Sequence, residues 1–159
     1  VEKVIPMAAQ KLGERYFFWV IGGGGKKTLV KGRIEELGGH NVELLNPVSR
    51  ERLIGYYNDS DFLFLHLNDL EAFKKVLPSK LFEYAAFDKP IIAGVGGYAS
   101  QFIQENLSNY ILFAPTDVKS MVEQILKFDG GEQEQGDFVK RFARKNIMKE
   151  MARSILECR

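Results

Sequence analysis

Short apolar runs that alternate with helix-like segments limit the possible folds of this chain more than any other feature. Each run has the length and composition of a strand buried on both faces. The five runs lie at 16–21, 41–45, 61–65, 89–93 and 110–114. Strands separated by helices predict βαβ units, and therefore a parallel sheet with right-handed crossovers.

The segments between the runs indicate where the helices lie. The predicted helices are 1–12, 26–38, 49–58, 78–87, 99–105, 117–128 and a basic last helix in 137–159. Ser49 is the expected N-cap of the third of these helices, and Pro78 is favourable in the first turn of the fourth. We predict an α/β fold, a Rossmann-like parallel sheet flanked by helices, as one domain over 1–128. A polar, glycine-rich linker at 129–136 precedes the last helix.

Charge and cysteine content argue against several classes of protein. The chain has 159 residues, with 22 Lys and Arg against 21 Asp and Glu, so a net charge of +1 gives no reason to expect nucleic acid as a partner. The single cysteine, Cys158, cannot form an internal disulfide, which favours a reducing compartment. No apolar run can span a bilayer and no signal peptide opens the chain. We therefore expect a cytoplasmic protein, with membrane association only through segments outside this sequence.

Ligands of parallel sheets bind at the carboxyl ends of the strands, so the candidate binding loops are 22–26, 46–48, 66–78, 94–98 and 115–116. The first loop has four glycines followed by two lysines and a threonine. A P-loop needs glycine at the position of Lys26. The dinucleotide-binding motif G-x-G-x-x-G needs its last glycine at the position of Lys27 or Thr28. The pattern therefore supports only a close approach of a ligand to the backbone beside a helix start, or a plain turn.

Residues 77–93 carry the most informative pattern. Ser79 and Glu83 share a face of a helix that starts at Pro78, and Leu81 can pack on the sheet. The amino end of such a helix attracts anions, and a carboxylate one turn further can accept hydrogen bonds from a diol. The spacing therefore fits the diphosphate and ribose of a nucleotide, and it fits a capped helix with a solvated glutamate equally well.

The same segment, L-P-S-K-L-F-E-Y-A-A followed by F-D-K-P-I-I-A, resembles the donor-site helix and following strand of retaining glycosyltransferase family 4. The resemblance extends to V-I-G-G-G at 20–24, N-V-E-L-L-N-P at 41–47, Y-N-D-S-D at 57–61 and the pair Gly96-Gly97. It covers residues 1 to about 128 and is strongest to bacterial O-antigen or capsule enzymes, including L-fucosamine-type transferases. It implies the C-terminal, donor-binding half of a GT-B fold, whose first strand would precede this sequence.

The resemblance also implies roles for individual residues. Glu83 matches the glutamate that binds the ribose hydroxyls. The other expected donor-binding residues are Pro78, Ser79, Lys80 and Leu81 for the diphosphate, Gly24, Gly25 and Lys26 near the donor phosphates, and Asn46, Pro47 and Val48 around the base. Lys75 departs from the pattern, because many members have a second glutamate there, near the transferred sugar.

Histidines and a pair of aspartates are the remaining candidates. His66 ends the third strand at the ligand side, so it either touches the donor sugar or has a structural role, and His40 is expected to be solvated. Asp59-Ser60-Asp61 spells the metal-binding motif of a different class, the GT-A glycosyltransferases, but lies at the opposite edge of the sheet. We therefore expect no metal and no cofactor, with cations and helix N–H groups stabilising the leaving diphosphate.

These observations predict the nucleotide-diphosphate-sugar-binding domain of a bacterial transferase that acts on a surface-polysaccharide precursor. The expected partners are the sugar nucleotide and an acceptor-binding N-terminal domain, to which the last helix crosses unless it packs on its own domain. Because the chain starts on helix-like residues without Met, we expect a fragment that is inactive alone. The alternatives are a stand-alone nucleotide-binding α/β domain and a GT-B sugar-nucleotide epimerase.

Overall fold

Strands and helices alternate along most of the chain, of which a computed structural model describes residues 1–131 and 136–157. The helices are α1 (Val4–Leu12), α2 (Lys27–Glu36), α3 (Arg50–Asp59), α4 (Ser79–Tyr84), α5 (Gly97–Asn106), α6 (Val118–Lys127), α7 (Gly136–Phe142) and α8 (Arg144–Glu157). The strands are β1 (Phe18–Ile21), β2 (Val42–Leu45), β3 (Leu63–His66), β4 (Ile91–Gly94) and β5 (Tyr110–Phe113). Two 3₁₀ helices, Gly13–Arg15 and Glu71–Lys75, complete the described elements.

All strand pairs are parallel. In β1 and β2, Phe18 lies opposite Val42, and in the other sheet Ile91 of β4 lies opposite both Leu63 of β3 and Tyr110 of β5. Each pair is joined through a helix, as parallel pairing requires. The structure confirms the predicted α/β fold of parallel strands flanked by helices.

The two faces of the β3–β4–β5 sheet are buried under different helices. Residues of β4 alternate between them: Ile91 and Ala93 face a cluster formed with α3, α4, α5 and α7, whereas Ile92 faces a cluster formed with α1 and α6. All four residues of β4 are buried. Burial on both faces explains why β4 reads as a continuous apolar run in the sequence, whereas β1 and β2, expected to be buried in the same way, have no buried residue.

The strands form two sheets rather than one. Hydrogen bonds join β1 to β2, and β3 to β4 and β5, but among the described residues none joins β1 to β3. β1 has no buried residue, and Phe17 and Trp19 are exposed at 59% and 39%. In one continuous sheet β1 and β3 would be interior strands, so each retains a free edge here.

The helix predicted at 78–87 is shorter in the structure, where α4 ends at Tyr84. The N–H of Ala86 bonds to the carbonyl oxygen of Glu83, and that of Phe87 to Tyr84. These bonds span three residues instead of four, so the chain tightens into turns before β4. Pro90 also disfavours helical geometry in the residue before it.

The single helix predicted after the linker is two helices, α7 and α8. The carbonyl oxygen of Ala143 accepts hydrogen bonds from the N–H groups of Asn146 and Ile147, so a new helix begins there. Phe138 of α7 is buried in the core, whereas α8 has no buried residue. Residues 132–135 of the predicted linker 129–136, and Cys158, lie outside the described residues.

Gly97 is the position where we expect a side chain to be tolerated least. Its φ is +60°, and a Cβ would lie 2.2 Å from the carbonyl oxygen of Lys74. The change Gly97→Ala therefore strains the backbone and displaces the 3₁₀ helix, and it should cost about 2 kcal/mol or more of unfolding free energy. Urea denaturation measures this loss.

Gly32→Ala is the matched control, because a Cβ in this turn of α2 meets no atom within 4 Å. Alanine is the better helix former, so this variant should gain about 0.5–1 kcal/mol. A Gly97→Ala variant as stable as the wild type would contradict the close packing described here.

Candidate functional site

The glycine loop 22–26 and the loop 46–48 touch each other at the carboxyl ends of β1 and β2. A Cβ on Gly23 would lie 3.0 Å from Cγ of Pro47, so the absence of a side chain permits the contact. Nζ of Lys27 donates to Oδ1 of Asn46 at 2.7 Å and to the carbonyl oxygen of Leu45 at 3.1 Å. The structure thus brings together two of the predicted binding loops.

Lys26, expected near the donor phosphates, forms an ion pair at the start of α1. Its Nζ lies 2.5 Å from Oε1 of Glu2, and this hydrogen bond lowers the pKa of the Glu2 carboxyl to about 2. Both side chains remain partly exposed. A phosphate at Lys26 therefore has to share the ammonium with Glu2 or replace it.

Glu83 on α4 faces the amino end of α3. Its Oε1 lies 3.7 Å from Nη1 of Arg50, the residue that follows the N-cap Ser49. Leu81 is fully buried, so the packing of α4 fixes the direction in which Glu83 points. The carboxylate therefore lies within ion-pair distance of the first turn of α3, the helix that follows the loop 46–48.

The Glu83 carboxylate has acceptor capacity to spare. Its side chain is 29% exposed, and in the described part of the chain no hydrogen bond reaches it. An ionised carboxylate has about four lone-pair sites for donors. The side chain can therefore accept two hydroxyl groups from a ligand without breaking a protein hydrogen bond.

Two tyrosines hold α3 against α4 beside this carboxylate. The rings of Tyr57 and Tyr84 meet edge to face with centroids 5.3 Å apart. Burial raises the pKa of both phenols, and the negative charge of Glu83 raises both further. The two hydroxyls therefore stay neutral, and their contact keeps the helix that carries Arg50 next to the helix that carries Glu83.

His66 ends β3, and both of its ring nitrogens have partners. Nε2 lies 2.5 Å from the carbonyl oxygen of Pro115, and Nδ1 lies 3.4 Å from the amino group of Val1. A carbonyl oxygen only accepts, so Nε2 carries the proton. This bond joins β3 to the loop after β5, which fits a structural role, and contact with a donor sugar stays a prediction.

Gly94 gives His66 the room to reach Pro115. The register places His66, Gly94 and Phe113 in one row across β3, β4 and β5. A Cβ on Gly94 would lie 2.7 Å from Cδ2 of His66 and 2.5 Å from Cζ of Phe113. The middle residue of the row must therefore be small for the two rings to close over it.

Lys75 and the aspartate pair lie away from this group of contacts. Lys75 ends the 3₁₀ helix, which packs on the start of α5 beside Gly97. Asp59 ends α3 and Asp61 precedes β3, so both lie at the amino end of that strand. Within residues 1–131 and 136–157, no group of three His, Cys, Asp or Glu side chains is arranged to hold a metal.

The other predicted residues lie in the same loops or at the start of α4. Ser79 and Lys80 open α4 and are exposed, as are Gly24 and Gly25, while Pro78 and Val48 are half-buried. A shallow groove of about 730 Å³ runs between α2 and β2 and reaches the site only at Lys27 and Asn46. All helices in the described ranges are too short or too polar to cross a membrane.

Sequence comparison identifies the family to which this arrangement belongs. The family model described as Glycosyl transferases group 1 matches residues 1–145, most of the chain. The chain belongs to this glycosyltransferase family. As a group 1 glycosyltransferase domain it has the Rossmann-like α/β fold of the GT-B class. No curated protein matches the sequence.

Lys27 and Arg50 are the polar residues at the site that the sequence patterns did not indicate. Lys27 joins two binding loops, and Arg50 pairs with Glu83. A lysine within a failed P-loop motif and an arginine in the first turn of a helix carry no local signal of such contacts. Only the packing of the crossover helices brings their partners within reach.

The His66 bridge predicts that acid weakens the fold. Burial lowers the pKa of His66 below its ordinary value of 6.5. The hydrogen bond to Pro115 raises the pKa by a smaller amount. The charged amino group of Val1 lowers it slightly, and the carboxylate of Glu2 raises it slightly. The unfolded chain therefore takes up the proton at higher pH than the folded chain. Stability from His66 is complete above pH 6.5 and falls as the pH drops through the lowered pKa.

Thermal unfolding between pH 7.5 and pH 5.5 measures this effect. The variant His66→Gln should be less stable at pH 7.5 and should show a flatter pH dependence than the wild type. His40→Gln, which changes an exposed histidine, should keep the wild-type slope. Equal slopes for the wild type and His66→Gln would show that His66 does not titrate with unfolding.

Proposed function

We propose that this glycosyltransferase domain binds a nucleoside-diphosphate sugar at the carboxyl edge of its strands, with Glu83 accepting the ribose hydroxyls. The observation that carries the proposal is the state of the Glu83 carboxylate, which is partly exposed, free of protein hydrogen bonds in the described ranges and within ion-pair distance of Arg50, two residues after the loop 46–48. Membership of the family supports a donor-binding role for the domain.

The ribose is the part of the ligand for which the geometry is most specific. A vicinal diol offers two donors about as far apart as the two oxygens of a carboxylate, and hydrogen bonds to a charged acceptor are the stronger kind. The base then lies toward Asn46, Pro47 and Val48, because Arg50 joins that loop to Glu83. Touching loops at Gly23 and Pro47 form the floor of this region.

The diphosphate is expected between the glycine loop and the start of α4. Gly24 and Gly25 are exposed and have no side chain to keep an anion from the backbone. Lys26, Ser79 and Lys80 add an ammonium, a hydroxyl and a second ammonium from the two sides. With these groups the negative charge that grows on a leaving diphosphate can be stabilised without a metal ion or another cofactor.

An acceptor-binding domain is the partner that we propose for this domain. Helix α8 exposes Ile147, Met148, Met151, Ile155 and Leu156, an apolar stripe with no cover in the described part of the chain. A preceding strand inserted between β1 and β3 would fill both free edges and give the strand order of a doubly wound sheet. A further domain that packs on α8 and adds this strand would cover the apolar stripe and pair both free strand edges.

The acceptor that we propose is a precursor of a bacterial surface polysaccharide, with an aminodeoxysugar among the candidate donor sugars. This part of the proposal is supported by the resemblance of residues 77–93 to such enzymes. Its test is transfer by the longer protein from a panel of radiolabelled sugar nucleotides to a lipid-linked acceptor. Transfer by the 159-residue chain alone would contradict the need for an acceptor domain.

Nucleotide binding tests the core of the proposal. Calorimetric titration of the chain with UDP, GDP and TDP should show binding of at least one, because the Glu83 carboxylate is partly exposed and has unused hydrogen-bond acceptors. Glu83→Gln keeps the size of the side chain but removes the charge, so affinity should fall about tenfold or more, as for the loss of a charge-assisted hydrogen bond.

Glu123→Gln is the matched control for this substitution. Glu123 lies on α6, is paired only with Lys119 among the described residues, and is absent from the proposed site. Its replacement should leave the affinity unchanged. Absence of binding by all three nucleotides, or equal affinity of Glu83→Gln and the wild type, would overturn the proposed donor site.

A further inference from the structure

The ion pair between Arg50 and Glu83 joins two crossovers at the centre of the proposed site. Arg50 opens α3 directly after the loop 46–48, and Glu83 lies in the second turn of α4. Their closest atoms are 3.7 Å apart, and the Arg50 side chain is 80% exposed. An exposed ion pair of this kind contributes little to the free energy of unfolding, so a stabilising effect alone does not account for its position at the site.

The length of the contact matters for what the carboxylate can still do. At 3.7 Å the guanidinium attracts Glu83 electrostatically but makes no hydrogen bond to it. The lone pairs of both carboxylate oxygens therefore stay available. A guanidinium has five N–H donors, so Arg50 can also donate to a ligand that lies on Glu83.

The other neighbours of Glu83 make a nearby cation important. The Tyr57–Tyr84 pair on the inner side is neutral and partly desolvated, and the negative charge of Glu83 acts on both rings. In the described ranges Arg50 is the only cation paired with this carboxylate. Its attraction draws the Glu83 side chain toward the amino end of α3, which follows the loop 46–48.

We propose that Arg50 is a positioning and specificity-determining residue of the donor site, which holds the Glu83 carboxylate toward the ribose and donates to the same hydroxyls. This inference rests on the proposed function of Glu83. It predicts that Arg50 contributes to the discrimination between ribose and deoxyribose, a property that a purely structural ion pair does not affect.

The experiment is a calorimetric comparison of ribonucleotides with their deoxy forms. The 159-residue chain is titrated with UDP, 2′-deoxy-UDP, GDP and 2′-deoxy-GDP, in the wild type and in Arg50→Ala. We expect Arg50→Ala to bind the preferred ribonucleotide about threefold to tenfold more weakly, the effect of losing roughly 1 kcal/mol of interaction. Affinity for the 2′-deoxy form should change less, so the ratio of the two affinities should fall.

Two further variants separate this role from a general effect of charge or folding. Arg50→Lys keeps the cation and should recover part of the ribose preference. Arg52→Ala removes an exposed cation from the same helix turn, and in the described residues its side chain has no ion pair with Glu83, so both affinities should stay at wild-type values. Thermal unfolding of all three variants should match the wild type.

The outcomes distinguish the two proposals. A wild-type chain that binds no ribonucleotide, or binds it without preference over the deoxy form, contradicts the assignment of Glu83 to the ribose. A wild-type chain with a ribose preference that Arg50→Ala retains in full overturns only the role of Arg50. A loss of preference in Arg52→Ala equal to that in Arg50→Ala would also overturn it, because charge alone would then be the cause.

Discussion

Parallel pairing of the strands is the constraint on which the candidate site depends. A parallel pair can be joined only by a crossover that returns the chain to the edge from which it started, so successive strands end at one edge. This brings Gly23 to Pro47 beyond β1 and β2, and His66 to Pro115 beyond β3 and β5. Contacts between loops far apart in the sequence are therefore consequences of strand pairing, and the polar groups of the site meet because of it.

The sequence predicts the features that local chemistry decides. Ser49 caps α3 as expected, because a serine before a helix accepts from the third N–H, and each continuous apolar run overlaps a strand, of which β4 is buried throughout. The contact of Arg50 with Glu83 could not be predicted, because it depends on how two crossovers pack. The need for glycine at position 97 could not be predicted either, because it depends on the close approach of the Lys74 carbonyl oxygen. Fold class follows from periodicity, whereas the pairs within the site follow from tertiary geometry.

The division of the strands into two sheets has a physical cost that the described chain leaves uncompensated. Free strand edges carry unpaired N–H and C=O groups, and natural sheets cover such edges. The exposed part of Trp19 lies on a face of β1, where its ring packs on Tyr56 of α3, and so it is separate from these edges. The unpaired edges favour a further strand over a loop, because one strand between β1 and β3 pairs with both edges along their length.

Helix α4 is short, and this makes the position of Glu83 dependent on distant parts of the chain. A helix of six residues has little stability of its own, so contacts on its two sides set its place. On one side Tyr84 packs on Tyr57 of α3. On the other, Phe82 packs on Phe102 of α5 and on Phe138 and Phe142 of α7. Since Phe82 and Glu83 are adjacent, a shift of α7 moves the carboxylate. Helix α7 therefore influences the position of Glu83 in the proposed donor site.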